Sequence, residues 1–182
     1  MTDSVTFRPV GEDDLPLLYQ LTSDPAVAGE HEWYGWRDPR QFSRQWAENG
    51  LLTDDSGILI VATGGQRLGF VSWHKVPTGH TSYCWEIGIA LAPEARGHGY
   101  GTQAQRALVG YLFANTMAHR IQAGTEITNL AEQRALEKAG FTREGVMRGT
   151  VFRAGSWHDG VLYSILRHEA APPSQEARAA PA

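Results

Sequence analysis

The sequence predicts one domain of the α/β (α+β) class, built around a mostly antiparallel mixed sheet of about seven strands. Three observations carry that expectation. Short apolar or alternating stretches recur between turn residues in 57–91 and 142–166, which is hairpin patterning. A long stretch from Tyr100 places apolar residues at Ala104, Ala107, Leu108, Tyr111 and Leu112, which is helical spacing. The apolar run at 120–125 returns after a crossover long enough to lie parallel to the strand before that helix. With 182 residues, 42% hydrophobic and 20% charged, the chain can fill one sizeable core.

Taken in order, residues 5–9 alternate as a short edge strand that Pro9 ends. Asp13 or Asp14 can cap the next helix, Pro16 suits its first turn, and Leu15, Leu18, Tyr19 and Thr22 make one face. Ser23-Asp24-Pro25 stops it. His31-Glu32-Trp33-Tyr34-Gly35-Trp36 is too aromatic for an ordinary solvated connection and too irregular for a strand. Asp38-Pro39 opens a helix carrying Phe42 and Trp46, ended by Asn49-Gly50. Residues 57–62 and 68–73 form a hairpin through Thr63-Gly64-Gly65-Gln66, and a second turn at 77–80 leads into the strand ending at Leu91. After the crossover helix and the 120–125 strand, Asn129 and Glu132 begin a helix as a capping-box-like pair, and Gly140-Phe141 ends it. Residues 142–152 and 157–166 make a final hairpin. The domain thus occupies 1–169, and the Ala/Pro-rich tail 170–182 is expected to be disordered.

The chemistry centres on the turn between strand and helix, Arg96-Gly97-His98-Gly99-Tyr100-Gly101-Thr102. Glycines on alternate positions let backbone approach a ligand, and a helix start points free N–H groups outward along the positive end of its dipole. That is a cradle for an anion, most naturally phosphate. A dinucleotide fingerprint needs glycine where Thr102 stands, and a P-loop needs Gly-Lys followed by Ser or Thr; neither pattern is present. A tight turn that binds nothing is the bland alternative.

Formal charge is −4 and no run of lysine or arginine occurs, which excludes a nucleic-acid or anionic-membrane surface as an expected partner. The single cysteine, Cys84, rules out an intramolecular disulfide and reads as a small buried hydrophobe. The beginning of the chain lacks a basic and apolar signal segment, and no apolar run approaches the roughly 20 residues of a membrane span, so a cytoplasmic protein is expected. The seven histidines form no His-x-x-x-His pair, and no catalytic metal is expected.

Four stretches together resemble the GNAT superfamily of N-acetyltransferases, in its RimJ/RimL-like branch of ribosomal-protein N-terminal acetyltransferases. They are residues 85–93; the 96–102 turn; Asn-Leu-Ala-Glu-Gln-Arg-Ala-Leu-Glu-Lys-Ala-Gly-Phe at 129–141; and Arg148-Gly149 through Phe152, Gly155, Trp157, Asp159 and Tyr163. The resemblance implies the GNAT fold, with a splayed parallel strand pair, helices on both faces, and acetyl-CoA as co-substrate. It implies that free backbone groups of Ile89, Ala90 and Leu91 bond the pantetheine arm, and that Arg96, Gly97, His98, Gly99, Tyr100, Gly101 and Thr102 hold the pyrophosphate. Asn129 matches a cofactor contact and is equally a plain helix cap; Arg134 either faces the adenosine phosphates or is solvated. A homodimer is compatible with the likeness.

Transfer to nitrogen requires a neutral amine. An α-amine with pKa near 8 is roughly a tenth neutral at pH 7, a lysine amine only about 0.04%. Glu86, an acidic residue inside an apolar strand, is the candidate catalytic carboxylate for the amine proton; the alternative is a carboxylate bonded to a neighbouring strand. Trp33, Tyr34 and Trp36 either wall an acceptor pocket or pack a helix on the sheet. Leu136 stands where many GNAT enzymes carry a tyrosine acid, and Glu132 where the RimJ/RimL branch often has serine. Glu132 either substitutes as the proton donor or, as expected from its place three residues after Asn129, completes a capping box; otherwise the thiolate leaves unprotonated or takes its proton from Tyr163 or water. The expected function is direct acetyl transfer to a protein N-terminal amine or a small-molecule amine. Antibiotic or metabolite modification and a non-catalytic acyl-CoA-binding module are the rivals.

Overall fold

The computed structural model describes residues 4–170. The expected disordered tail, apart from its first residue, lies outside them. The sheet has seven strands in the order β1-β2-β3-β4-β5-β7-β6. They are β1 (Thr6–Pro9), β2 (Ser56–Thr63), β3 (Gln66–Pro77), β4 (Tyr83–Leu91), β5 (Arg120–Glu126), β6 (Thr142–Arg153) and β7 (Ser156–Leu166). The helices are α1 (Leu15–Ser23), the single turn α2 (Pro25–Ala28), α3 (Gln41–Asn49), α4 (Tyr100–Asn115) and α5 (Leu130–Ala139). Neighbouring strands are antiparallel except β4 and β5, which the α4 crossover makes parallel.

Alternation along β4 sorts the helices onto two faces. Trp85 and Ile87 join Leu108 and Leu112 of α4 and Leu136 of α5 in one cluster. Ala90 joins Phe70, Ile60, Leu18 and Leu21 in the other, under α1 and α3. Burying both faces is what a sheet this apolar demands, at roughly 25 cal/mol per Å² of apolar surface removed from water.

The parallel pair is short. Only Trp85↔Ile121 and Glu86↔Gln122 face each other across it. Beyond them β4 stays with β3 as far as Leu91, while β5 stays with β7 as far as Glu126, so a fork opens in the middle of the sheet. Gly69 fixes one arm. Its φ is +152°, and a Cβ there would stand 2.0 Å from Ala90 O, so only glycine lets β3 draw the end of β4 this close.

Several local expectations need correction. Asp14 makes no side-chain cap for α1. It is buried, and its carboxylate accepts Arg8 Nη1 at 2.6 Å, Arg8 Nη2 at 2.8 Å and Gly11 N at 2.8 Å. The hydrogen bonds from Arg8 hold it down to a pKa of about 2. Ion pairing outcompeted capping because Arg8 of β1 and Arg67 of β3, whose Nη1 lies 3.3 Å from Oδ1, both reach it. At Asp24 the chain does leave α1, but the Asp24 carboxylate accepts Ala26 N at 2.9 Å and starts α2 at once. Gly140, with φ +103°, ends α5 as expected, and Phe141 N donates to Leu136 O.

Candidate active site

A cleft of about 500 Å³ runs through the fork. One wall is the released edge of β4, Ile89, Ala90 and Leu91, whose main-chain groups no longer pair with β5. At one end lies the glycine turn. Gly97 and Gly99 have φ of +79° and +82°, values that favour glycine, and a Cβ at either would meet nothing within 4 Å. Gly99 precedes α4 without a side-chain cap, and Gln103 N is the first to bond back to it, so the amides of Tyr100, Gly101 and Thr102 lack helical partners. Gly97, Gly99, Gly101 and Thr102 line the cleft.

Not every residue of the turn faces the same way. His98 and Tyr100 are outside the lining, and their rings meet edge to face with centroids 6.2 Å apart. Arg96 does line it, yet much of its guanidinium is committed elsewhere. Nε donates to Leu91 O at 3.0 Å and Nη2 to Val27 O at 2.6 Å, bracing β4 against α2. Asn129 and Arg134 line the cleft from α5, and the Asn129 side chain also caps the helix by accepting Glu132 N at 3.3 Å.

Glu86 sits at the vertex of the fork, on the last parallel pair, pointing to the α1–α3 face. Its Oε2 accepts Gln122 Nε2 at 2.7 Å and its Oε1 lies 3.9 Å from His74 Nε2. It is half-buried and outside the cleft lining. The geometry realises the alternative reading of Glu86, a carboxylate bonded to the neighbouring strand, at the point where the strands part.

The aromatic segment is displaced from its expected place. Trp33, Tyr34 and Trp36 do not line the cleft. Trp33 and Trp36 meet edge to face at 6.2 Å, with Trp36 77% exposed. The wall is built instead by the preceding residues, Gly29, Glu30, His31 and Glu32. His31 Nε2 lies 3.1 Å from Glu30 and Nδ1 lies 3.9 Å from Glu126. Glu126, buried at the tip of β5, is gripped by Arg153 through bonds of 3.0 and 2.8 Å, which hold its pKa down to about 2. The sequence signal for this wall is Glu30-His31-Glu32, two acidic residues around a histidine, immediately before the aromatics.

Glu132 corrects the capping-box expectation. Asn129 N bonds Glu126 O, and the Glu132 carboxyl accepts instead from Gln105 Nε2 of α4, within the cleft wall. Burial, with Glu32 as a like-charged neighbour, pushes Glu132 up to about 7. Burial likewise pushes Glu32 up to about 7, with Arg96 opposing. Much of Glu32's surface is open, but what it faces is the cleft. Tyr163 is fully buried and donates to Glu137 at 3.1 Å, and Leu136 is core, so neither offers a proton to the cleft.

A strand edge left free beside a helix start that presents unbonded amides fits an extended, amide-bearing molecule ending in phosphates. The sequence matches the acetyltransferase (GNAT) domain family over residues 4–142. It is 36% identical over 108 residues to the probable N-acetyltransferase YjcK of Bacillus subtilis, a match covering 59% of each chain. It is 30% identical over 159 residues to aminoglycoside N(6')-acetyltransferase type 1 of Klebsiella pneumoniae, covering 80% of this chain and 77% of that one. The fold superposes with a TM-score of 0.77 and 19% identity on spermidine N-acetyltransferase from Vibrio cholerae, solved with CoA and spermine, covering 92% and 98% of the two chains. The forked sheet, the glycine turn and the family match agree, and the chain belongs to the GNAT acetyltransferase family.

Proposed function

We propose that this chain transfers an acetyl group directly from acetyl-CoA to a small, cationic primary amine. The observation that carries the proposal is the continuity of one cleft, from the glycine turn, along the free edge of β4, to a mouth bearing Glu30 and Glu32. Acetyl-CoA supplies an activated thioester; the protein's residues bind, orient and manage protons. The amides at Gly97–Thr102 and the dipole of α4 favour the pyrophosphate. Ile89, Ala90 and Leu91 offer donors and acceptors to the pantetheine amides. Acidic residues at the mouth favour a positively charged acceptor.

An ammonium does not attack carbon, so the bound amine must lose a proton first. Glu86, oriented by Gln122 at the fork vertex, is the proposed acceptor of that proton through water. The aminoglycoside and spermidine enzymes among the relatives act on amines of this charge type, which favours the small-molecule reading. A RimJ/RimL-like reading, with a protein N-terminus as acceptor, is favoured by the exposed Tyr34 and Trp36 beside the mouth, which an extended peptide could cross.

Calorimetry with acetyl-CoA, followed by thiol release with polyamines, aminoglycosides and N-terminal peptides, tests the proposal. Heat on binding and thiol release with polycationic amines are expected. Release with peptides alone reassigns the acceptor, and binding without release from any amine favours an acyl-CoA-binding module. No heat with acetyl-CoA removes the transferase reading altogether.

A further inference from the structure

Gln105 is a polar residue in the apolar stripe of α4, between Ala104 and Leu108, and only 2% of it is exposed. Its Nε2 donates to Glu132, and its Oε1 has no hydrogen-bond partner among the described residues. A buried amide acceptor left open is costly unless something uses it at some stage. The group beside it that can do so is Glu132 itself. A carboxylate accepts from the amide's NH2; a protonated carboxyl donates to the amide's oxygen after a half-turn of the amide. Gln105 is therefore a partner for Glu132 in both protonation states.

The surroundings set which state prevails. Glu32 faces Glu132 as a second carboxyl, and burial disfavours the charge on each. His31 lies on the same mouth segment as Glu32, while Arg96, Arg134 and Lys138 are the cationic side chains of the lining. Among the described residues, none of these three cations forms an ion pair with Glu132. Glu132 thus has a reason to hold a proton near neutrality, in the same cleft as the free edge of β4.

We propose that Glu132, supported by Gln105, is the catalytic acid that protonates the departing sulfur. The inference rests on the transferase reading above. As the new nitrogen–carbon bond forms and the carbon–sulfur bond breaks with its electron pair going to sulfur, Glu132 gives its proton to sulfur. The neutral amine loses one proton to water, and the Glu132 carboxylate recovers one from the same pool, so the cycle balances as amine plus thioester giving amide plus thiol. Gln105 is a positioning residue in this scheme.

The decisive variant is Glu132→Gln, which keeps the shape and the capacity to bond Gln105 but cannot titrate. Roughly a 10- to 100-fold fall in kcat is expected, with the dissociation constant for CoA within about twofold of wild type. The descending limb of the kcat–pH profile near pH 7 should vanish. Independently of turnover, carbon-13 NMR of labelled glutamate in the unliganded protein should reveal a carboxyl titrating near 7 that Glu132→Gln removes. Because that pKa is raised above the unfolded value, wild type should lose thermal stability relative to Glu132→Gln as pH rises from about 5 to about 8.

Should Glu132→Gln fail to fold, Gln105→Met gives a second test: losing the amide donor should move both the titration and the kinetic limb to higher pH. A Glu132 midpoint near the ordinary carboxylate range, unchanged kcat, or a large loss of CoA affinity in Glu132→Gln would each overturn the assignment. Absence of any thiol release by wild type would instead sink the transferase reading, while the NMR midpoint still decides whether Glu132 holds the proton.

Discussion

At the scale of single residues, positions in this chain are constrained by backbone as much as by side chain. Gly99 carries φ +82° at the entrance to α4, with open space where a Cβ would go. Gly99→Ala therefore costs conformational strain rather than a clash, about 1 kcal/mol, which appears as a several-fold weakening of acetyl-CoA binding if the turn relaxes to relieve it. Calorimetry of wild type and variant checks this, and equal affinities would remove Gly99 from the binding turn. Asp14 is constrained differently. Its buried carboxylate satisfies Arg8, Arg67 and Gly11 N at once, and Asp14→Asn should destabilise the fold by about 1–2 kcal/mol, the figure held down because both arginines are partly solvated. Chemical denaturation measures it. The sequence revealed the acidic pair Asp13-Asp14 and the helix that follows, but not the arginines arriving from β1 and β3, which are remote in the chain.

At the scale of elements, the fork is the unit that matters. Two register pairs hold β4 to β5, and from there each strand keeps only one neighbour. Gly69 closes the β3 side of the fork so tightly that Gly69→Ala places a Cβ against Ala90 O and Leu91 Cα. A melting temperature lower by roughly 5–10 °C is expected, equivalent to about 3 kcal/mol for a domain of this size, together with weakened acetyl-CoA binding because the β4 edge shifts. A variant that melts like wild type would show that the end of β4 is not held by this contact. The segment between α2 and α3 gives the reverse lesson. Its aromatics stand out in the sequence, yet Gly29, Glu30, His31 and Glu32 line the cleft, since Arg96 ties Val27 O and Ala28 O to the end of β4 and brings those residues there first.

For the molecule as a whole, two consequences follow from where its charges sit. Asp14 and Glu126 both titrate near 2 when folded, below their unfolded values, so their stabilisation is complete above about pH 4 and is lost as pH falls toward 2. Thermal melts across that window should show an acid limb, and Glu126→Gln should flatten it. Acetyl-CoA binding should act on the whole fold, because the cleft joins α2, β4, α4 and α5. At 100-fold excess over its dissociation constant, a ligand stabilises by about 2.7 kcal/mol, which a shift in melting temperature of several degrees would register.

The sequence by itself determined the seven strands, their hairpins, the parallel crossover and the glycine turn, since alternation, helical spacing and turn residues are local and each acts over a few neighbours. Asn129 as a cap and Gly140 as a terminator were legible for the same reason. Tertiary structure alone decided that Glu132 turns from its own helix end toward Gln105, that Tyr163 is sealed in the core, and that acidic residues rather than tryptophans form the mouth. Those outcomes depend on burial and on partners more than twenty residues away in the chain, and a carboxyl's proton affinity is set by that surrounding rather than by its position in the sequence.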